Sequence, residues 1–219
     1  MKHVHVLVEG QTEEQLVVSV FQPAALSNGI WLNPVMLKTR RPVGRPHDRG
    51  GVSRWAMIHA DIRRLLGDSS AHTVTTLLDF YGIPSDTPGV SDQVPGDAYA
   101  RVTHVEQAMG KEVNDSRFLP FLSLHETEAW VLAAADELAA LYGRPELAEN
   151  LNAQVRDAGG PERVNDSPHT APSKRIQSAY PAYRKVTDGP HAISMLGLGA
   201  LRNVCPHLDA WLSLLEATV

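Results

Sequence analysis

Val4-His5-Val6-Leu7-Val8-Glu9-Gly10-Gln11-Thr12-Glu13-Glu14 is the stretch that decides the fold. Its first five residues are β-branched or apolar except for His5, and they read as a buried strand. Glu9 and Gly10 end that strand. Gln11 or Thr12 then opens a helical pattern in which Leu16, Val17, Val20 and Phe21 share one face. A strand that delivers a carboxylate at its tip, beside a helix start that carries more carboxylates, suits a hard divalent cation. First-turn acids such as Glu13 and Glu14 also complement a helix dipole, so they have a purely structural reading as well. Glu9, between a buried strand and a glycine, has less structural purpose.

Working outward, Val74-Thr75-Thr76-Leu77-Leu78 is a second strand, its run unbroken as expected for a strand buried on both faces, and it ends in Asp79. Ile30 to Leu37 reads as a strand whose Pro34 argues for a sheet edge or a bulge. Trp55, Ile58, Ile62 and Leu65 mark a helix, and Asp97 to Val113 another. Phe118 to Leu124 reads as a fourth strand, followed by a helix that starts near His125. The order β-α-β-α-β-α-β-α predicts an α/β fold with a mostly parallel sheet of about four strands and helices on both faces. Residues 1–135 form this α/β unit. Residues 136–219 read as an α-helical C-terminal region packed on it. The four tryptophans, Trp31, Trp55, Trp130 and Trp211, are expected in the core.

At 219 residues the chain can bury a sizeable core. It is 43% hydrophobic and 21% charged, as in ordinary globular proteins. No apolar run approaches the ~20 residues needed to span a bilayer. Glu9 interrupts the N-terminal apolar stretch, which argues against a secretory leader. The single cysteine, Cys205, excludes an internal disulfide and fits a reducing cytoplasm. Net charge is −5, yet Lys38, Arg40, Arg41, Arg45, Arg49 and Arg54 face one acid, Asp48, within 17 residues. Such a local patch suits phosphate better than the total charge suggests.

Two further segments carry chemistry. His125-Glu126-Thr127-Glu128 follows the fourth strand and lacks the second histidine of a zinc-protease helix. Glu126 and Glu128 are two apart and cannot both face one point on a helix, so one of them is structural or solvated. Pro172-Ser173-Lys174-Arg175 looks like a helix start, with Lys174 placed to neutralise a phosphorane-like transition state.

Val8-Glu9-Gly10-Gln11-Thr12-Glu13-Glu14, Leu78-Asp79-Phe80-Tyr81-Gly82, His125-Glu126-Thr127-Glu128-Ala129-Trp130, Pro172-Ser173-Lys174-Arg175 and Asn203-Val204-Cys205-Pro206-His207 with Trp211 together resemble the DUF4276 family of bacterial proteins. That family is similar to the Toprim domain of topoisomerases, primases and OLD-type nucleases. The resemblance implies a Toprim-like nuclease, a phosphodiester hydrolase on DNA or RNA that uses Mg²⁺ or Mn²⁺. Its ligands would be Glu9, Glu13 and Asp79 with Glu126 or Glu128, and Lys174 would assist. Tyr81 stands where Toprim domains carry the second aspartate of Asp-x-Asp. Arg40, Arg41, Arg45, Arg49, Arg54 and Arg175 would contact nucleic acid. The family's gene neighbours imply an AAA or ABC-type ATPase partner and a role in defence against phage or plasmids. The alternative expectation is a non-catalytic, metal-binding regulator of that ATPase.

Overall fold

The computed structural model describes residues 1–38, 54–165 and 170–218. The chain opens with β1 (Lys2–Val8) and passes through Glu9-Gly10 into α1 (Gln11–Leu16). A π-helical turn, Val17–Phe21, joins α1 to α2 (Gln22–Ser27) without a break. The helical path continues through Pro23, which directly follows the π-helical turn, where the wider register already interrupts the α-helical ladder that its missing N–H would have joined.

Next come β2 (Ile30–Met36), α3 (Trp55–Leu66), β3 (Ala71–Asp79) and α4 (Ala98–Val113). Asp97 caps α4 by accepting from Ala100 N at 3.2 Å. The expected fourth strand is split into β4 (Phe118–Leu119) and β5 (Leu122–Ser123). Pro120 has no N–H for a ladder, so the pairing lapses there. Thr76 fills the gap with its side chain: its hydroxyl donates to Phe121 O at 2.7 Å and accepts from Phe121 N at 2.9 Å.

The remainder is helical: α5 (Glu128–Ala133), α6 (Ala135–Tyr142), α7 (Pro145–Ala158), α8 (Pro172–Ala179), α9 (Asp188–Leu196), α10 (Leu198–Val204) and α11 (Pro206–Ala217). No helix among the described residues is long and apolar enough to cross a membrane.

The sheet order is β2-β1-β3-β4, with β5 also on β3, and every pairing is parallel. β2 is the edge strand, as Pro34 requires. Trp31 lies on it and is 42% exposed, contrary to the expectation for all four tryptophans, because an edge strand has a neighbour on one side only. Strand alternation sorts the core. Val4, Val6 and Val8 pack with α1, α2, Trp130 and the C-terminal helices. Leu7, Val74 and Leu78 pack with α3 and α4. One continuous cluster thus runs from β1 to Leu215.

Buried polar groups lock α11 onto this frame. Glu162 is fully buried and accepts from His207 N and Leu208 N at 3.0 and 3.2 Å, serving as an N-terminal cap from outside the helix. His207 Nε2 lies 3.0 Å from the Glu106 carboxylate on α4, and its ring stacks on Phe121 at 5.1 Å. Burial opposes the imidazolium, but the hydrogen bond and charge of Glu106 outweigh it and raise the His207 pKa. A raised folded pKa adds stability that is complete below the unfolded value near 6.5 and is lost as pH rises through the folded value. Glu106→Gln is therefore expected to flatten the fall in stability above pH 6.5, measured by urea melts across that range. An unchanged pH profile would refute the pairing.

Candidate active site

Parallel alignment sends the carboxyl ends of β1, β3 and β5 to the same edge, where open α/β sheets hold ligands. Val8 pairs with Leu77, so Glu9 emerges one step beyond β1 beside the end of β3. Asp79 closes β3 opposite Ser123 of β5. Gly82 leaves room for this approach, since a Cβ there would meet Glu9 Oε2 at 3.1 Å and Asp79 Cβ at 3.8 Å. Gly82 N–H donates to Asp79 O at 2.9 Å, closing the turn that brings the glycine back.

Glu13, in the first turn of α1, is 5% exposed. Its Oε2 accepts from Gly10 N at 2.9 Å, and its Oε1 lies 3.4 Å from Thr127 Oγ1. It thus caps its own helix and reaches the same turn as Asp79. Asp79 Oδ1 accepts from Ser123 Oγ at 2.8 Å and from Thr127 N at 2.9 Å.

The turn that supplies Thr127 is unusual. His125 has φ +66°, and Glu126 N donates across it to Leu124 O at 2.9 Å, a γ-turn in the left-handed region. Backbone strain of this kind concentrates at functional sites. The helix consequently starts at Glu128 rather than near His125. His125 itself is buried, its ring 5.0 Å from that of Tyr81. Tyr81, at the position where Toprim domains carry their second aspartate, is 36% exposed.

The same turn separates the two glutamates. Glu126 Oε2 accepts from Ser173 N at 3.0 Å, which ties the turn to the start of α8. Glu128 points into the acid cluster and is fully buried. The cation it meets is Lys185, whose Nζ lies 3.0 Å from Glu128 Oε2 and 3.9 Å from Asp79 Oδ2. Lys174 is exposed on α8. Lys185, which sequence reasoning missed, is the lysine that sits with the acids.

Lys185 lies between α8 and α9, outside any regular element, and Asp188 fixes that segment. Asp188 accepts from Arg184 N at 2.9 Å, Arg184 Nη2 at 2.9 Å, Tyr142 Oη at 2.5 Å and Thr187 Oγ1 at 2.9 Å. Burial opposes its ionisation, yet these donors win and hold its pKa down to about 2.

The acids behave in the opposite way. Burial, followed by repulsion from Glu13, raises the Glu9 pKa against the pull of Lys185. Burial raises the Asp79 pKa well above its ordinary value, Glu13 and Glu128 adding to it and Lys185 opposing it. Burial pushes Glu128 up to about 7 despite Lys185. Lys185 is held charged: Glu128 and Asp79 outweigh the burial that would neutralise it.

Among the described residues, no three histidine, cysteine, aspartate or glutamate side chains are grouped so that they could hold a metal ion together. The donor set still fits a hard cation by its chemistry. It offers carboxylate oxygens only, and burial with mutual repulsion raises the proton affinities of Glu9 and Asp79. Mg²⁺ commonly takes one or two carboxylates and completes its shell with water and substrate phosphate. Arg40, Arg41, Arg45 and Arg49 lie outside the described residues. Arg54 is exposed just before α3, and Arg175 lies on α8.

A family model described as a domain of unknown function, DUF4276, matches residues 8–216. The chain belongs to the DUF4276 family. The match takes in β1's end, both strand-tip acids, the His125 turn and Lys185, so the whole cluster is part of the DUF4276 domain. Comparison with curated proteins and with solved structures finds no match.

Proposed function

We propose that this DUF4276 protein is a divalent-cation-dependent phosphodiesterase, a nuclease on DNA or RNA whose centre is the carboxyl edge of β1 and β3. The observation that carries this reading is the convergence of Glu9, Glu13, Asp79 and Glu128 on one lysine, with Glu9, Asp79 and Glu128 all made more basic by burial. A surplus of buried carboxylate destabilises a fold, and it is a common sign of a functional site. The γ-turn at His125 is a second such sign.

Glu9 and Asp79 would hold Mg²⁺ or Mn²⁺, water and substrate phosphate completing the shell and Glu13 adding negative charge beside them, and the bound cation would supply Lewis-acid polarisation and a more acidic water. The chain's own residues set the rest. Ser123 and Thr127 fix one Asp79 oxygen and leave the other toward Lys185. Lys185 carries a positive charge, suited to the oxygens of a phosphoryl group in the transition state. Asp188 and Arg184 hold the segment that presents it. A neighbouring ATPase remains part of this proposal as the partner that controls access, and a defensive role goes with it.

The test is direct. Purified protein is expected to cleave plasmid or single-stranded oligonucleotides with Mn²⁺ or Mg²⁺ and to stop in EDTA. Metal binding without cleavage of any such substrate, alone or with the ATPase added, would replace this reading with that of a metal-binding regulator.

A further inference from the structure

A cleft of about 760 Å³ reaches the His125 turn, between the start of α4, the C-terminal end of α7 and the start of α8. His125 lines it, so the turn that holds Asp79 is also a wall of the cleft. The second link is Glu126, which anchors the first turn of α8 through Ser173, two residues before Arg175.

Among the described residues, three arginines line this cleft: Arg101, Arg163 and Arg175. Arg175 is held by neutral acceptors, Thr170 O and Gln154 Oε1, each at 2.8 Å. These bonds fix its orientation without neutralising its charge. Arg101 is exposed on the first turns of α4. Arg163 pairs with Asp97 at 3.3 Å and lies 4.9 Å above the Tyr99 ring, whose hydroxyl donates to Glu162 at 3.2 Å. The lining thus combines guanidinium forks, a fixed aromatic ring and two amides, Gln154 and Asn165. Asp157 and Asp97 are its acids.

We infer that this cleft binds the phosphodiester backbone of a single-stranded nucleic acid next to the bond presented to Glu9 and Asp79, Arg101 and Arg175 each taking a phosphate. Guanidinium forks match phosphate oxygens, and Arg-aromatic surfaces stack bases without sequence preference. A concave site of this volume admits a flexible strand more readily than a rigid duplex. The inference rests on the phosphodiesterase reading for its position, but binding is measured apart from cleavage.

The experiment is fluorescence anisotropy with labelled 12-nucleotide single-stranded DNA and RNA in EDTA, over a salt series, for wild type, Arg101→Gln, Arg175→Gln and the double variant. Arg101→Gln is the safeguard if Arg175→Gln perturbs folding, since Arg101 is exposed. The double variant is expected to bind at least about tenfold more weakly. The slope of log affinity against log salt should fall by about 1.4, roughly 0.7 for each lost phosphate contact. Preference for one strand type names the source of the phosphodiester. Wild-type affinity and slope in a folded double variant would overturn the inference, as would no binding by wild type. Weakened binding without any Mn²⁺-dependent cleavage would keep the cleft and remove the nuclease. Cleavage with unaltered binding in the double variant would do the reverse.

Discussion

Glu9→Gln and Asp79→Asn are each expected to lower Mn²⁺-dependent cleavage by on the order of a thousandfold, about 4 kcal/mol of transition-state stabilisation. Neither is expected to lower the melting temperature at pH 8. The two halves of this prediction share one cause. Burial raises both proton affinities, so the ionised forms carry a cost in the folded state. A raised folded pKa means that the carboxyl favours folding fully below its unfolded value and loses that contribution as pH climbs through the folded value. At pH 8 an amide removes the cost. In the Asp79→Asn variant the amide oxygen would keep the hydrogen bonds from Ser123 and Thr127 N, and Lys185 would keep Glu128. Greater stability with lost activity is the signature of a residue retained for function. Cleavage at the wild-type rate by either variant would sink the catalytic assignment. Activity lost only together with a collapsed melting curve would mean that the acids are structural.

What the sequence reveals of this site follows from where each residue sits. β1, β3 and their terminal acids are legible because a strand buried on both faces must be apolar, so an acid that ends the run stands out. Parallel order follows from the alternation of strands and helices, and it alone places Glu9 near Asp79. The choice between Glu126 and Glu128 is not legible, because it depends on the left-handed turn at His125. Histidine carries no strong signal for that conformation, and a helix-start reading shifts both side chains. The split at Pro120 has a visible signal, whereas the threonine hydroxyl that repairs it does not. Lys185 is the largest omission. It follows a short helix in a Pro- and Tyr-rich segment without periodicity, and its position is set by the bonds of Asp188 on α9 to Tyr142 on α6 and to the neighbouring Arg184. Lys174 had a helix start to recommend it, but a helix start shows where a chain turns and not which way a side chain faces.

Lys185→Met is the substitution with the largest expected effect on stability, a loss of about 3–5 kcal/mol at pH 8. Glu128 is fully buried, and Lys185 is the cation within reach of it. Removing that charge leaves a carboxylate in a site that already pushes its pKa up to about 7 with the lysine present. At roughly 2–4 °C per kcal/mol for a chain of this size, the melting temperature should fall by about 6–20 °C. The loss must depend on pH. Glu128's folded pKa lies above its unfolded value of 4.5, so its contribution is complete below pH 4.5 and is withdrawn as pH rises through the folded value. Without Lys185 that value moves higher still. At pH 5.5 Glu128 would be protonated in the variant, and the cost would shrink. Lys185→Met with Glu128→Gln should recover most of the loss at pH 8, because an amide needs no counter-ion. Urea melts of the single and double variants at pH 5.5 and 8 measure both effects. Equal destabilisation at the two pH values, or no recovery in the double variant, would show that Lys185 supports the fold by packing and not by neutralising Glu128. If the pair behaves as expected, Lys185 is the counter-charge that lets a surplus of acids persist at the sheet edge, and the same acids become the place where a divalent cation gains most by binding.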